Sequence, residues 1–279
     1  EMSASLVGSE MCIRDRYDNS VSHALEYYIA DFALSRFAEA LGKKKDAEMF
    51  YKRSLGYKHY YSKEFGTFRP ILPDGTFYSP FNPRQGENFE PNPGFHEGSA
   101  WNYSFYVPHD VYGLAKLMGG KNPFIKKLQM VFDEGLYDPA NEPDIAYAHL
   151  FSYFRGEEWR TQKETQRLLD KYFTTKPNGI PGNDDTGTMS AWAIFNMIGF
   201  YPDCPGLPEY TLTTPVFNKV TIRLDPKWYK EKELVIESNR TQPGTLYINK
   251  VLLNGKKFNQ YRITHDELVH SQRILFDLK

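Results

Sequence analysis

Gly182-Asn183-Asp184-Asp185-Thr186-Gly187-Thr188-Met189-Ser190-Ala191-Trp192 places two adjacent carboxylates in a glycine-bracketed loop directly before an apolar helix. Glycines at 182 and 187 let the backbone turn sharply, and the small residues that follow let the loop pack closely against the helix start. A carboxylate there sees the positive end of the helix, which favours its ionised form. The helix predicted from Met189 to Ile198 is the last of a series, because the sequence changes character after Cys204.

Upstream, Leu25, Tyr28, Ile29, Phe32, Phe37 and Leu41 recur at three- and four-residue steps, which predicts an amphipathic helix from Val21 to Leu41 with Gly42 as its stop. A second helix is predicted from Asp46 to Tyr61, followed by a Gly/Pro-rich loop reaching Gly94. Further helical patterns run over Trp101–Met118, Pro123–Glu134, Ile145–Phe154 and Trp159–Phe173. Downstream, Val216–Leu224, Glu233–Ser238, Thr245–Leu253 and Ile274–Leu278 are short, β-branched and partly alternating, and Asn254-Gly255 is a hairpin turn. The pattern is mainly α: a partial (α/α)6 toroid over residues 17–204, then a small antiparallel β appendage over 205–279. A closed ring of six hairpins needs about twelve helices, so about seven make an incomplete ring.

The chain has 279 residues, 41% of them hydrophobic, which is enough for a large core. A formal net charge of −1 gives no overall electrostatic case for nucleic acid or an anionic membrane as partner, and no apolar run is long enough for a membrane span. The 20 Tyr and 20 Phe suit both core packing and stacking on the C–H faces of sugars. Cys12 and Cys204 are not in metal-ligand spacing. Residues 1–16 read as non-native: Ser5 to Arg16 looks like a translated sequencing adapter of the kind that contaminates environmental assemblies, and the chain opens on Glu1. The expectation is that the natural protein continues upstream, so that any targeting signal lies outside this sequence.

Four patches carry candidate chemistry. In Phe95-His96-Glu97-Gly98-Ser99-Ala100-Trp101-Asn102-Tyr103, Glu97 lies among aromatic residues before a helix. Apolar rings against a carboxyl group raise its pKa and keep it protonated as a general acid; the alternative is a helix-entry Glu that serves the first turn. Ala140-Asn141-Glu142-Pro143-Asp144 supplies hard oxygen ligands suited to calcium, or a helix-capping turn with Pro143 at the first helical position. The Asp184-Asp185 loop is the third, with an Asx turn as its ordinary reading. Val107-Pro108-His109-Asp110 lines a pocket or, the preferred reading, satisfies a proline kink. Separated acidic loops rich in aromatic residues are what a two-carboxylate glycosidase needs, with Glu97 and the Asp184/Asp185 pair as acid and base. Signatures for acyl transfer, phosphate loops and Cys/His zinc sites are not found.

Glu97 to Tyr103, Val107 to Val111 with Leu117-Met118-Gly119-Gly120, Asn141-Glu142-Pro143, and Gly182 to Trp192 continuing through Gly199-Phe200-Tyr201-Pro202 resemble glycoside hydrolase family 92 in order and spacing. Ser20 to Tyr27 also looks like that family's helix opening, and the resemblance covers residues 17–279. It implies a calcium-dependent, inverting exo-α-mannosidase with an N-terminal β-sandwich, an (α/α)6 barrel and small β elements after it. By motif, Glu97 matches the general acid and Asp185 the base, with Asp184 or Asn183 positioning the attacking water. Substrate contacts are expected from His96, Trp101, Asn141, Glu142 and Asn183, and Ca2+ ligands among Asn141, Glu142 and Asp185. Inversion asks for about 6.5 to 9.5 Å between the two carboxyl groups. The sequence departs from the family pattern at Thr186 and Thr188, where Cys and Gln are common, and at Ala30-Asp31-Phe32. Asn141 stands where α-1,2-specific members carry His, which weakens an α-1,2 reading.

The resemblance implies that the intact parent trims terminal α-linked mannose from N-glycans or mannan, in a periplasmic or secreted location. The alternatives are a glycan-binding pseudoenzyme and an (α/α)6 glycosidase of other sugar specificity. Lacking the sandwich and the first hairpins, the 279-residue chain alone is expected to be inactive and aggregation-prone; soluble monomer with mannosidase turnover would contradict this.

Overall fold

The computed structural model describes residues 20–86, 92–242 and 244–279, so the stretch 1–16 read as non-native lies outside the described residues. The chain forms two compact units: residues 20–144 with Pro205–Leu207, and Ile145–Cys204 with Pro208–Lys279. The change of sequence character near residue 205 thus falls on a short segment belonging to the first unit, whereas the helices after Ile145 belong with the strands.

In the first unit, α1 (Ser20–Ala40) and α2 (Lys44–Ser54) form a hairpin across a three-residue connection. α1 buries Val21, Ala24, Leu25, Tyr28, Ile29, Phe32, Ser35 and Ala38, which recur at the helical period. Phe37 and Leu41, expected on that stripe, are exposed, because at about 100° per residue they fall on the opposite side of the helix. Asp31 is almost fully buried on α1 and is met by the Arg53 guanidinium of α2, with Nε 2.6 Å from Oδ2 and the second nitrogen on Oδ1. The Ser35 hydroxyl donates to the Ala47 carbonyl at 2.8 Å, a second tie between the helices.

The second predicted helix continues past α2 only as a 3-10 turn, Leu55–Tyr60, before the hairpin of β1 (Tyr61–Ser62) and β2 (Thr67–Phe68). The helix predicted over Trp101–Met118 is broken into α3 (Ala100–Tyr103), a 3-10 turn (Pro108–Asp110) and α4 (Val111–Leu117). Pro108 cannot donate a backbone hydrogen bond, so the chain restarts there. Asp110 caps α4 by accepting from Gly113 N at 3.0 Å and also accepts from the Tyr57 hydroxyl at 2.7 Å. His109 is held by the Ser54 carbonyl, 2.9 Å from Nε2, and burial lowers its pKa. This patch is therefore a proline kink held by hydrogen bonds, with His109 Nδ1 buried and unpaired among the described residues. α5 (Lys121–Asp133) completes the helices of this unit.

The second unit opens with a 3-10 segment, Tyr147–Tyr153, where an α-helix is predicted, followed by α6 (Glu158–Tyr172) and α7 (Thr188–Ile198). β3 (Phe200–Tyr201), β4 (Glu209–Leu212) and β9 (Arg262–Thr264) form one sheet in that order. β5 (Lys219–Arg223), β6 (Glu233–Arg240), β7 (Ile248–Leu253), β8 (Lys256–Phe258) and β10 (Arg273–Leu278) form another, ordered β5-β6-β10-β7-β8. The Asn254-Gly255 turn joins β7 to β8 with both residues at positive φ, 49° and 81°, as a two-residue hairpin requires. One pair departs from the antiparallel pattern expected: β10 runs parallel to β6. This is possible because β7, β8, β9 and a short helix, α8 (His265–Val269), intervene and provide the crossover. Alternation puts Leu234, Ile236, Ile274, Phe276 and Leu278 on one face, where they pack with Ile248, Val251, Phe200 and Ile263.

Replacing Asp31 with Ala removes the carboxylate that the partly buried Arg53 guanidinium binds and is expected to cost about 2 kcal/mol in chemical denaturation. The Asp31→Leu/Arg53→Met double variant is expected to recover much of that loss, because both polar ends of the pair are replaced by apolar packing.

Candidate active site

In the first unit the Glu97 loop is fixed from several sides. Glu97 itself has φ 50°, a left-handed conformation unusual for a residue other than glycine. His96 N donates to Ser22 Oγ of α1 at 2.8 Å, and the Tyr103 hydroxyl donates to the His96 carbonyl at 2.8 Å. Burial pushes the Tyr103 hydroxyl up to about 12; the Ser22 hydrogen bond opposes this, while the charges of Glu26, Asp144 and Glu97 add to it. Asn141, on the neighbouring turn, donates from Nδ2 to the Glu97 carbonyl at 3.0 Å. A Cβ at Gly98 would lie 3.0 Å from that amide nitrogen and 3.1 Å from Asn102 Oδ1, so the close approach of the two segments depends on glycine.

The helix-entry role weighed for Glu97 is taken by its neighbours. Ser99 caps α3, its hydroxyl oxygen accepting from Trp101 N at 3.2 Å, while Asn102 Oδ1 accepts from Ser99 N at 2.9 Å. The Asn102 amide donates to Asp144 Oδ2 at 2.9 Å, and the same oxygen accepts from Asp138 N at 2.7 Å. Asp144 is fully buried, and loss of solvent pushes its carboxyl well above the usual carboxylate range against those two hydrogen bonds. The Glu97 side chain is left 61% exposed, with Oε1 3.6 Å from His96 Nε2. Burial against rings, expected from the sequence, is not found for it: the left-handed backbone turns Glu97 outward while Phe95, Trp101 and Tyr103 go into the core.

Trp101 is buried with the Lys127 ammonium 5.8 Å from its ring centroid, so it is mainly a packing residue of this unit. Glu142 is exposed, and its charge is felt by Glu26 of α1. Partial loss of solvent raises the Glu26 carboxyl; the Tyr106 hydroxyl bonded to it pulls the other way, and Glu142 raises it further. Sequence reasoning missed Glu26 and Tyr106. Their only signal was that Glu26 lies within the Ser20-to-Tyr27 motif, since nothing in sequence joins residue 26 to residues 97–142.

The remaining predicted site residues, Asn183, Asp184 and Asp185, lie in the second unit. Asp184, Thr186 and Gly187 are all left-handed, a tight coil that ends at the start of α7. Asp184 serves that helix: Oδ1 accepts from Ser190 N at 2.8 Å and Oδ2 from the Ser190 hydroxyl at 2.6 Å. The Ser190 hydroxyl and then its backbone N–H hold the Asp184 carboxyl below the usual range. Asp185 is exposed; its backbone carbonyl accepts from the Thr188 hydroxyl at 2.6 Å, and its carboxylate has no hydrogen bond among the described residues. α7 is in turn anchored by Trp192, which donates from Nε1 to the Ile145 carbonyl at 3.1 Å and stacks on Phe173.

Among the described residues, no three His, Cys, Asp or Glu side chains gather as a metal site, and Asn141 donates to the Glu97 carbonyl through Nδ2 rather than through Oδ1, the atom a calcium ion would take.

Glycoside hydrolases use two carboxyl groups, and Glu97 and Asp185 are the solvent-facing carboxyl groups of the two loops. The chain belongs to glycosyl hydrolase family 92, whose catalytic-domain model matches residues 10–279. It is 26% identical over 265 residues to an uncharacterized secreted glycosidase of Arthroderma benhamiae, covering 88% of this chain and 34% of that protein. It superposes on a family GH92 α-mannosidase of Bacteroides thetaiotaomicron with TM-score 0.85 and 31% identity, covering 94% of this chain and 34% of the other. That enzyme has also been solved in complex with mannoimidazole. A family GH92 inverting mannosidase of the same organism matches with TM-score 0.82 and 31% identity, over 93% of this chain and 37% of its own. The chain thus has the mainly helical catalytic-domain fold of these enzymes and spans about a third of their length.

Replacing Ser190 with Ala is expected to raise the Asp184 carboxyl toward its ordinary value in an NMR titration. Because the folded-state value is depressed, the linked stability is present above the unfolded-state pKa and is lost as pH falls through the folded one. The Ser190→Ala variant is therefore expected to lose less stability than the wild type across that acidic window.

Proposed function

We propose that the protein of which this chain is part hydrolyses terminal α-linked mannose from N-glycans or mannan with inversion at the anomeric carbon. The observation that carries this reading is the division of labour at the two loops. Ser99 and Asn102 cap α3 and Asp184 caps α7, which leaves the Glu97 and Asp185 carboxylates uncommitted to structure. Family membership supports the choice of glycoside chemistry, and the matched α-mannosidases support the choice of sugar.

In this reading Glu97, as the carboxylic acid, gives its proton to the glycosidic oxygen as the bond from that oxygen to C1 breaks. Asp185 takes a proton from a water that attacks C1 from the opposite face. The products are β-configured mannose and the free leaving-group hydroxyl, with Asp185 protonated and Glu97 ionised until solvent resets both. Asn141 holds the Glu97 carbonyl and acts as a positioning residue. Calcium remains a proposal for the complete protein, and no step here is routed through it. Secretion is proposed on the likeness to the secreted fungal glycosidase.

The test is mannose release from α-linked mannobioses by the protein expressed from its full reading frame, with the anomer of the first product followed by NMR. Initial β-mannose is expected; initial α-mannose would overturn inversion, and no release from any linkage would favour a binding role or another glycan. Glu97→Gln and Asp185→Asn are each expected to lower kcat by about 10²- to 10⁴-fold with the fold intact. Chelation is expected to abolish turnover and added calcium to restore it; full activity in chelator would remove calcium from the proposal.

A further inference from the structure

Away from both carboxylate loops, the second unit contains a half-open cavity of about 450 Å³ that the mechanism does not use. Its walls include Glu158, Trp159, Gln162, Tyr247, Tyr261 and Lys279. The volume is within the range of small-molecule sites, about 300 to 1,000 Å³.

Two rings give the cavity its form. Trp159 lies off the buried stripe of α6, which runs through Thr161, Gln162, Thr165, Leu168 and Leu169, and its ring is 40% exposed. Tyr247 is 36% exposed, and the two rings meet at 72° with centroids 6.5 Å apart, as the floor and wall of a corner. The Arg160 guanidinium sits 4.5 Å from the Trp159 ring centroid and steadies the ring. Tyr247 is fixed by its backbone, which exchanges hydrogen bonds with Lys279 at 2.8 and 3.1 Å. Gln162 is buried with Oε1 accepting from Ile248 N at 2.9 Å, and the Tyr261 hydroxyl donates to the Ile248 carbonyl at 3.3 Å. Glu158 uses Oε2 to accept from Gly156 N at 2.7 Å.

The site therefore combines aromatic faces held at an angle with pre-positioned groups that can donate and accept. An apolar ligand would take water from the remaining Glu158 oxygen, Oε1, without replacing it, and a strongly charged one would meet both the Glu158 carboxylate and the Lys279 ammonium. A neutral ring with one C–H face and several hydroxyls matches both parts. We infer that this corner is a second carbohydrate-binding site, taking a hexopyranose unit of a glycan with its C–H face on Trp159 and its hydroxyls toward Glu158 and Tyr261. The choice of sugar rests on the glycosidase reading, whereas the cavity itself is independent of the carboxylate loops.

The test measures depletion of the protein expressed from its full reading frame by insoluble mannan, together with tryptophan fluorescence titrated with soluble mannan oligosaccharides. Trp159→Ala is expected to weaken binding at least ten-fold with unchanged far-UV circular dichroism, and Trp159→Phe to retain most of it. Trp159→Ala binding as tightly as the wild type, or a wild type that binds no mannan, would overturn the inference. Mannobiose turnover by the full-length protein is scored separately: its absence alongside Trp159-dependent binding would overturn the hydrolytic reading and leave this site standing.

Discussion

The side chain of Asn102 is the constraint on which the first unit's loops depend. Its oxygen accepts from Ser99 and its amide reaches the buried Asp144, so one residue on a four-residue helix ties the Glu97 loop to the turn after Asp138. So short a helix has little cooperativity of its own and persists through its cap and its packing. Asp144 is the costly end of this chain: its second oxygen, Oδ1, has no partner, and burial drives the group toward its neutral form. The arrangement is preserved because Asn141 closes the same loop from the other side, through the Glu97 carbonyl.

The second unit solves the same problem differently. There a carboxylate, Asp184, does the capping and the residue beside it is left unengaged. Adjacent acids that look equivalent in sequence are separated by backbone conformation. At φ 53° Asp184 folds back over the first turn of α7, and Asp185 is carried outward. The chemical inequality of the pair comes from hydrogen bonds to Ser190 rather than from the helix dipole alone.

Much of the fold was legible because helical periodicity and turn chemistry are local. The α1 stripe, the long run of α6 and the Asn254-Gly255 hairpin are all written in neighbouring residues. What failed was decided at a distance. The 3-10 segment Tyr147–Tyr153 buries His149 stacked on Tyr201, and no periodicity foretells that partner. α8 and β9 were missed because they are short, although Thr264 and Glu267 spell out a capping box. At the candidate site, motif reading singled out Glu97, Asn141 and Asp185, but the exposure of Glu97 and the packing of Trp101 follow from a left-handed residue and a buried core. Glu26 and Tyr106 needed the packing of α1 before they could be seen as neighbours.

The parallel pairing of β10 with β6 also governs the order in which the second unit can be assembled. β10 is the last of the five strands to leave the ribosome, yet it is inserted between β6 and β7. Until it arrives, β5 with β6 and β7 with β8 are two separate hairpins, each presenting an unpaired edge and half of an apolar face. The sheet is therefore closed only once β10 has emerged, by a strand whose Ile274, Phe276 and Leu278 join both halves of the core in one step. During translation this unit is a pair of open edges, and its window of vulnerability to wrong pairing lasts until the stretch from Asn259 to Leu278 has been made and delivered.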